Sequence, residues 1–171
     1  LALDESGNVY VTGNTYSSDY PTTTDPHGPG GVSDFFVSKL DSSLNTPFGS
    51  TFIGGSLDDL AYSLALDGSG NVYVTGTFGA GATLNGSSLT TAGLEDIFVA
   101  KYTPSGTLAW VRTGGGLEKD LSRTIVVDDL GNTYVTGLFK ETAAFDSVAL
   151  NDKGSRTLIS VDDSRDVFIA K

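Results

Sequence analysis

This sequence has no cysteine and no methionine, and it has a single histidine and a single tryptophan. Without cysteine there is neither a disulfide framework nor a thiolate metal site. The one histidine, His27, lies in Asp25-Pro26-His27-Gly28-Pro29. With no second His and no Cys to share a metal or complete a nucleophilic triad, it is assigned no catalytic or zinc role. No apolar run is long enough for a membrane span, and none reads as a signal peptide. Stretches rich in Ala, Leu, Glu and Lys, the mark of long helices, are also missing. Basic residues are scarce: 10 Lys and Arg stand against 21 Asp and Glu, giving a formal net charge of −11. Such a chain repels phosphate backbones and anionic bilayers, which argues against nucleic acid as a partner and against membrane insertion.

What is abundant is glycine, with 22 residues, together with Ser and Thr. At 39% hydrophobic and 18% charged residues the chain is globular rather than disordered. The combination predicts many short strands joined by tight turns.

One stretch recurs three times. Gly7-Asn8-Val9-Tyr10-Val11-Thr12-Gly13 returns as Gly70-Asn71-Val72-Tyr73-Val74-Thr75-Gly76 and as Gly131-Asn132-Thr133-Tyr134-Val135-Thr136-Gly137. Each reads as a turn feeding a β-branched and aromatic strand. Before each lies a first strand ending in Asp4, Asp67 or Asp128, so two strands joined by a four-residue loop form a hairpin. Asp accepts backbone N–H bonds in such a turn, and Gly supplies positive φ.

A third strand follows as Asp34–Lys39, Asp96–Lys101 and Asp166–Lys171. A fourth covers about Gly49 to Ile53 and returns around Thr107 to Arg112, carrying Trp110. Gly54-Gly55 and Gly114-Gly115-Gly116 read as turns into the next unit, with Asp59 and Asp120 at one offset beyond them. Asn14 to Val32 reads as a long surface loop. Extra polar residues between Phe145 and Asp166 read as a longer loop or an added hairpin at one rim.

The period is about 60 residues, from Asp4 to Asp67 to Asp128. Four strands per period, apolar on both faces, predict an all-β chain of about three four-stranded antiparallel propeller blades. Their bounds are 1–56 with a truncated first strand, 57–117 complete, and 118–171 lacking a fourth strand. Propellers close with about four to eight blades. Neighbouring blades are therefore expected, from the same longer chain or from other copies, in a ring, filament or intramolecular array. The absent Met and the start at Leu1 within a repeat fit an interior or processed piece.

The pattern Asp-x-x-Gly-Asn-Val-Tyr-Val-Thr-Gly, then Asp-x-Phe-Val-Ala-Lys, then Gly-Gly-x-x-x-Asp resembles the SBBP family, a bacterial and archaeal β-propeller repeat. Ser17-Ser18-Asp19-Tyr20-Pro21-Thr22 after the first copy fits it too, whereas the second and third copies lack this segment. The resemblance implies a propeller of four-stranded blades in a secreted or surface-attached microbial protein. It carries no shared catalytic residues.

Individual residues add little chemistry. Asp67 and Asn71 offer hard oxygen ligands for calcium, but no bidentate Glu and no run of carboxylates follows, and a hairpin turn with an Asx bond is the preferred account of the same residues. Asp96 and Lys101 could pair as acid and base, yet the same frame in all three units favours a structural device. Tyr10, Tyr73, Tyr134 and Trp110 are sugar platforms only if exposed, and blade-packing residues otherwise. Asn85-Gly86-Ser87 is a glycosylation acceptor pattern. No catalytic residue, ligand-binding residue or metal ligand is assigned, and no cofactor beyond a possible calcium ion.

The expected function is a non-catalytic extracellular module with a structural, adhesive or assembly role. The alternative is a propeller binding surface glycan or protein through its rim loops. An enzyme acting on polysaccharide would need clustered carboxylates or a His pair in one cleft.

Overall fold

A computed structural model of the chain describes residues 1–17, 33–44, 47–54, 57–145, 156–159 and 165–171. The first unit forms β1 (Ala2–Leu3), β2 (Val9–Thr15), β3 (Asp34–Leu40) and β4 (Pro47–Gly54). The second forms β5 (Leu60–Leu66), β6 (Val72–Gly79), a small hairpin of β7 (Thr83–Leu84) and β8 (Ser87–Ser88), then β9 (Glu95–Tyr102) and β10 (Leu108–Gly116). The third forms β11 (Leu121–Val127), β12 (Thr133–Lys140), β13 (Thr142–Phe145), β14 (Arg156–Ile159) and β15 (Arg165–Ala170). No helix occurs among the described residues.

All pairings between these strands are antiparallel, and the expected blade order holds in the first two units: β1-β2-β3-β4 and β5-β6-β9-β10. The third sheet is β11-β12-β15. Two of the sheets exceed four strands, however. Hairpin β7–β8 leaves its own unit and pairs with β4, where Ile53 faces Leu84. Hairpin β13–β14 pairs with β10, where Gly115 faces Ala144. The second and third units thus each extend the preceding blade and cover its outer edge, which would otherwise present unpaired N–H and C=O groups.

This corrects the reading of Gly114-Gly115-Gly116 as a turn. These glycines end β10, and a Cβ on Gly116 would strike the carbonyl of Thr142 on the incoming strand. Glycine is needed there for close approach of a neighbouring backbone rather than for a bend. Gly54 likewise closes β4. The extra residues after Phe145 do contribute a hairpin, while 146–155 lie outside the described residues, as does most of the loop from Asn14 to Val32.

Strand alternation gives each blade two apolar faces. On blade one, Ala2, Tyr10, Phe35 and Val37 share a leading face. It packs on the trailing face of blade two, built from Leu64, Val72, Val74, Phe98 and Ala100. Phe35 stacks on Phe98 with ring centroids 4.7 Å apart. Blade two's own leading face, Ala65, Tyr73, Ile97 and Val99, packs on Ile125, Val135, Phe139 and Phe168 of blade three. The Ile125 N–H also donates to Ser63 Oγ across this second seam (3.3 Å). Burial of one such large side chain contributes about 1.5–3 kcal/mol, so the two seams rather than the turns hold the blades together.

Candidate functional site

Polar side chains gather at two kinds of repeated position. The first is the hairpin turn. Asp67 N–H donates to the Asn71 carbonyl (3.1 Å) and Gly70 N–H to the Asp67 carbonyl (2.9 Å), with Gly70 at φ 78°. The Asp67 carboxylate then takes four donors. Oδ1 accepts from the N–H groups of Ser69 and Asn71, both at 2.9 Å. Oδ2 accepts from Asn71 Nδ2 (2.7 Å) and from the Tyr73 hydroxyl (3.0 Å). Lys101 closes the group, with Nζ 3.9 Å from Asp67 Oδ2 and 4.9 Å from the centre of the Tyr73 ring.

The same clip recurs at Asp4, Asn8, Tyr10 and Lys39. It recurs again at Asp128, Asn132 and Tyr134, with Lys171 over the tyrosine ring. The Asn8 and Asn132 side chains hold the carboxyls of Asp4 and Asp128 below their usual range. At Asp67 burial pushes upward, but the bonds from Asn71, Tyr73 and Ser69 outweigh it and the net shift is down. Sequence reasoning saw the Asp turn, the tyrosine and the lysine as separate features. The signal that unites them is register, which sets Tyr10 opposite Lys39 and Tyr73 opposite Lys101.

Both oxygens of each clip carboxylate are thus engaged by protein donors, leaving calcium to compete with four hydrogen bonds. Adding calcium, or a chelator, is expected to leave the thermal unfolding midpoint unchanged, because only a ligand of the native state raises it. A calcium-dependent rise measured by calorimetry contradicts this.

The second position lies at the opposite end of the blades, where one unit crosses to the next. Asp34, Asp59, Asp96 and Asp120 are all almost fully buried there. A Cβ on Gly54 would stand 2.5 Å from Asp34 Oδ1, and one on Gly115 would meet Asp96 in the same way. Asp59 N–H donates to the Ser33 carbonyl, and Asp120 N–H to the Glu95 carbonyl. Asp59 Oδ1 accepts from Gly79 N–H (3.1 Å), while its Oδ2 has no partner among the described residues. Asp120 is better served, by the N–H groups of Gly116 (2.6 Å) and Lys140 (3.2 Å). Asp96 accepts from Ala92 N–H, and its other oxygen is unpartnered among the described residues.

Burial is the largest influence on the carboxyls of Asp59, Asp96 and Asp120, because it penalises the charged form. It pushes Asp59 up to about 7, reinforced by the charges of Asp34, Asp58 and Glu95 and opposed by the Gly79 bond. Asp120 rises to about 6, with the bonds from Lys140 and Gly116 and the charge of Arg165 holding it down. Asp96 is raised by burial against the bond from Ala92. Beside Asp96 lies a pocket of about 260 Å³, bounded by Thr90, Ala92, Thr113, Gly114 and Phe145.

The remaining candidates separate cleanly. Asp96 and Lys101 sit near opposite ends of β9 and do not meet, since Lys101 serves the clip. Tyr10 and Tyr73 are buried, and Trp110 is partly buried with its edge against Tyr73 at 6.2 Å, so they pack blades rather than offer stacking surfaces. Asn85 is exposed at φ 48°, followed by Gly86 at φ 78°, which makes Asn85-Gly86 the turn of the β7–β8 hairpin. His27 lies outside the described residues.

The family comparison falls on two of the three hairpins. The family model "Beta-propeller repeat", SBBP, matches residues 1–21 and 50–77. These segments are similar to SBBP repeats and make up less than a third of the chain. They cover the first clip hairpin, the end of β4 in the first unit, and β5 with most of β6 in the second. No curated protein matches the chain. The SBBP match speaks for a propeller module and for no particular chemistry.

Proposed function

We propose that this chain is a non-catalytic propeller module with a structural, adhesive or assembly role at a cell surface or in a secreted protein. The supporting observation is the clip. It appears three times with the same partners, so the most conspicuous polar groups of the chain serve the fold in every unit. A reacting site is built once and asymmetrically, whereas capping devices recur with the repeat. Blade neighbours and surface polymers are the partners this reading implies. Cell fractionation places the protein, and the expected pool is the surface or the medium. A polysaccharide panel incubated with the protein is expected to remain uncleaved, and depolymerisation of any member would contradict the reading.

One observation favours a second reading, a module that binds glycan or protein at its rim. The pocket beside Asp96 is lined by Thr90, Thr113 and Phe145, a mixed polar and aromatic set of the kind that orients a small polar ligand. A glycan-array signal lost in Phe145→Ala would support it.

A further inference from the structure

Asp96 combines an unpartnered buried oxygen with a cavity beside it. The residue is 2% exposed. Its Oδ2 accepts from the Ala92 N–H, while Oδ1 has no partner among the described residues. Buried polar atoms are almost always satisfied, by protein, by water or by a bound group. Asp96 lines the pocket of about 260 Å³, and so does Gly115, where a Cβ would strike that same Oδ1. Glycine therefore keeps the space against the unpartnered oxygen clear of a side chain. Thr90, Ala92 and Ala144 are exposed, so the pocket opens at the surface. The lining decides what can enter. It offers a carboxylate, two threonines, an aromatic ring and small residues, with no Lys, Arg or His. An anionic ligand would find no counter-charge there. Lys119, beyond β10, is engaged by Glu95 (2.5 Å), and burial and the Ala92 bond act on the Asp96 carboxyl without a cation beside them.

We propose that this pocket takes an amino sugar, its ammonium group donating to Asp96 Oδ1 and its ring lying against Phe145. The inference rests on the rim-binding reading above and names the ligand class. A carboxylate buried without a positive partner gains most from a donor that carries charge. Threonine hydroxyls accept as well as donate, so Thr90 and Thr113 suit the hydroxyls of a sugar. An aromatic ring attracts a cation and covers the apolar face of a ring. A neutral sugar would leave the carboxylate without its counter-charge, and a bare alkyl ammonium would leave the threonines unused. At about 260 Å³ the pocket is smaller than the roughly 300–1,000 Å³ that drug-sized ligands occupy, which suits a single sugar unit.

Isothermal titration calorimetry at neutral pH tests this with glucosamine, glucose, N-acetylglucosamine and a lysine-containing peptide. Glucosamine is expected to bind with a Kd on the order of millimolar, as befits a ligand of its size. Glucose and N-acetylglucosamine lack the charge and should bind about 10-fold more weakly or worse, the worth of one charge-assisted hydrogen bond. Asp96→Asn should erase the preference for the amine, with circular dichroism verifying the fold. Thr90→Val, at an exposed position, should weaken glucosamine by about 5-fold. Equal affinity for glucose and glucosamine overturns the inference and leaves glycan binding at the rim standing. So does an amine preference that survives in Asp96→Asn, or an affinity unchanged in Thr90→Val. A peptide that binds as tightly as glucosamine overturns the sugar and moves the rim site to a protein partner. Silence from all four probes overturns the inference, and a blank glycan array beside it removes the glycan-binding reading as well.

Discussion

Gly76→Ala is expected to destabilise the chain by about 3 kcal/mol or more, which for this length lowers the unfolding midpoint by roughly 10 °C. Gly76 sits in β6 opposite Ala61, where β5 carries a bulge between Ala61 and Ser63. A methyl group there would strike the Leu60 carbonyl oxygen and the Phe98 ring. The carbonyl belongs to backbone and cannot swing aside, and the ring is already stacked on Phe35. Gly137 repeats the arrangement with Leu121 and Phe168. Gly13 does not, because its Cβ would meet only the Phe36 ring, at 3.2 Å. Gly13→Ala should therefore cost far less, under about 1 kcal/mol, since the neighbour must give by only a few tenths of an ångström. Thermal unfolding of the two variants side by side checks this. Equal losses would mean that strand propensity rather than the bulge contact sets the cost.

Stability is expected to peak on the acid side of neutrality. The sign follows from the two classes of aspartate. The clip carboxyls Asp4, Asp67 and Asp128 lie below their ordinary 3.8 in the folded state, so their contribution is present above that value and fades as pH falls further. The carboxyls of Asp59, Asp96 and Asp120 at the junctions are raised instead. Their contribution is complete below 3.8 and is lost as pH climbs through about 6 at Asp120 and about 7 at Asp59. The maximum therefore lies near pH 4. Moving from there to pH 8 should cost on the order of 2 kcal/mol after relaxation of the junction is allowed for. Asp59→Asn keeps the shape without the titration and should flatten the alkaline limb. Denaturant unfolding across the pH range measures both. Stability rising steadily to pH 8 would mean that the junction aspartates are ionised without penalty.

Much of the fold was legible because its determinants are local and repeated. Asp, Gly and Asn at fixed offsets specify the clip hairpin, and strands apolar on both faces specify stacking. The residues that misled did so for physical reasons. Gly114-Gly115-Gly116 carries a turn composition, yet close approach of Thr142 and Asp96 demanded the glycines. Asn85-Gly86 is a strong hairpin signal, overlooked beside the glycosylation pattern it shares, and nothing local announces that its hairpin joins the neighbouring blade. Asp59 and Asp120 were visible as a repeated offset, but their raised pKa values depend on burial made by residues far along the chain. The pocket beside Asp96 depends on Phe145 from the third unit in the same way.

Two buried seams between three blades carry the fold, and hydroxyl-radical footprinting reads them directly, residue by residue. In the folded chain Tyr73, Phe98 and Phe35, at 1%, 0% and 0% exposure, should be protected and should gain reactivity only on unfolding. Leu94, Leu117 and Leu130, which are exposed on connecting loops at 63%, 76% and 88%, should react in both states. Seam residues as reactive as the loop leucines in the folded chain would contradict it.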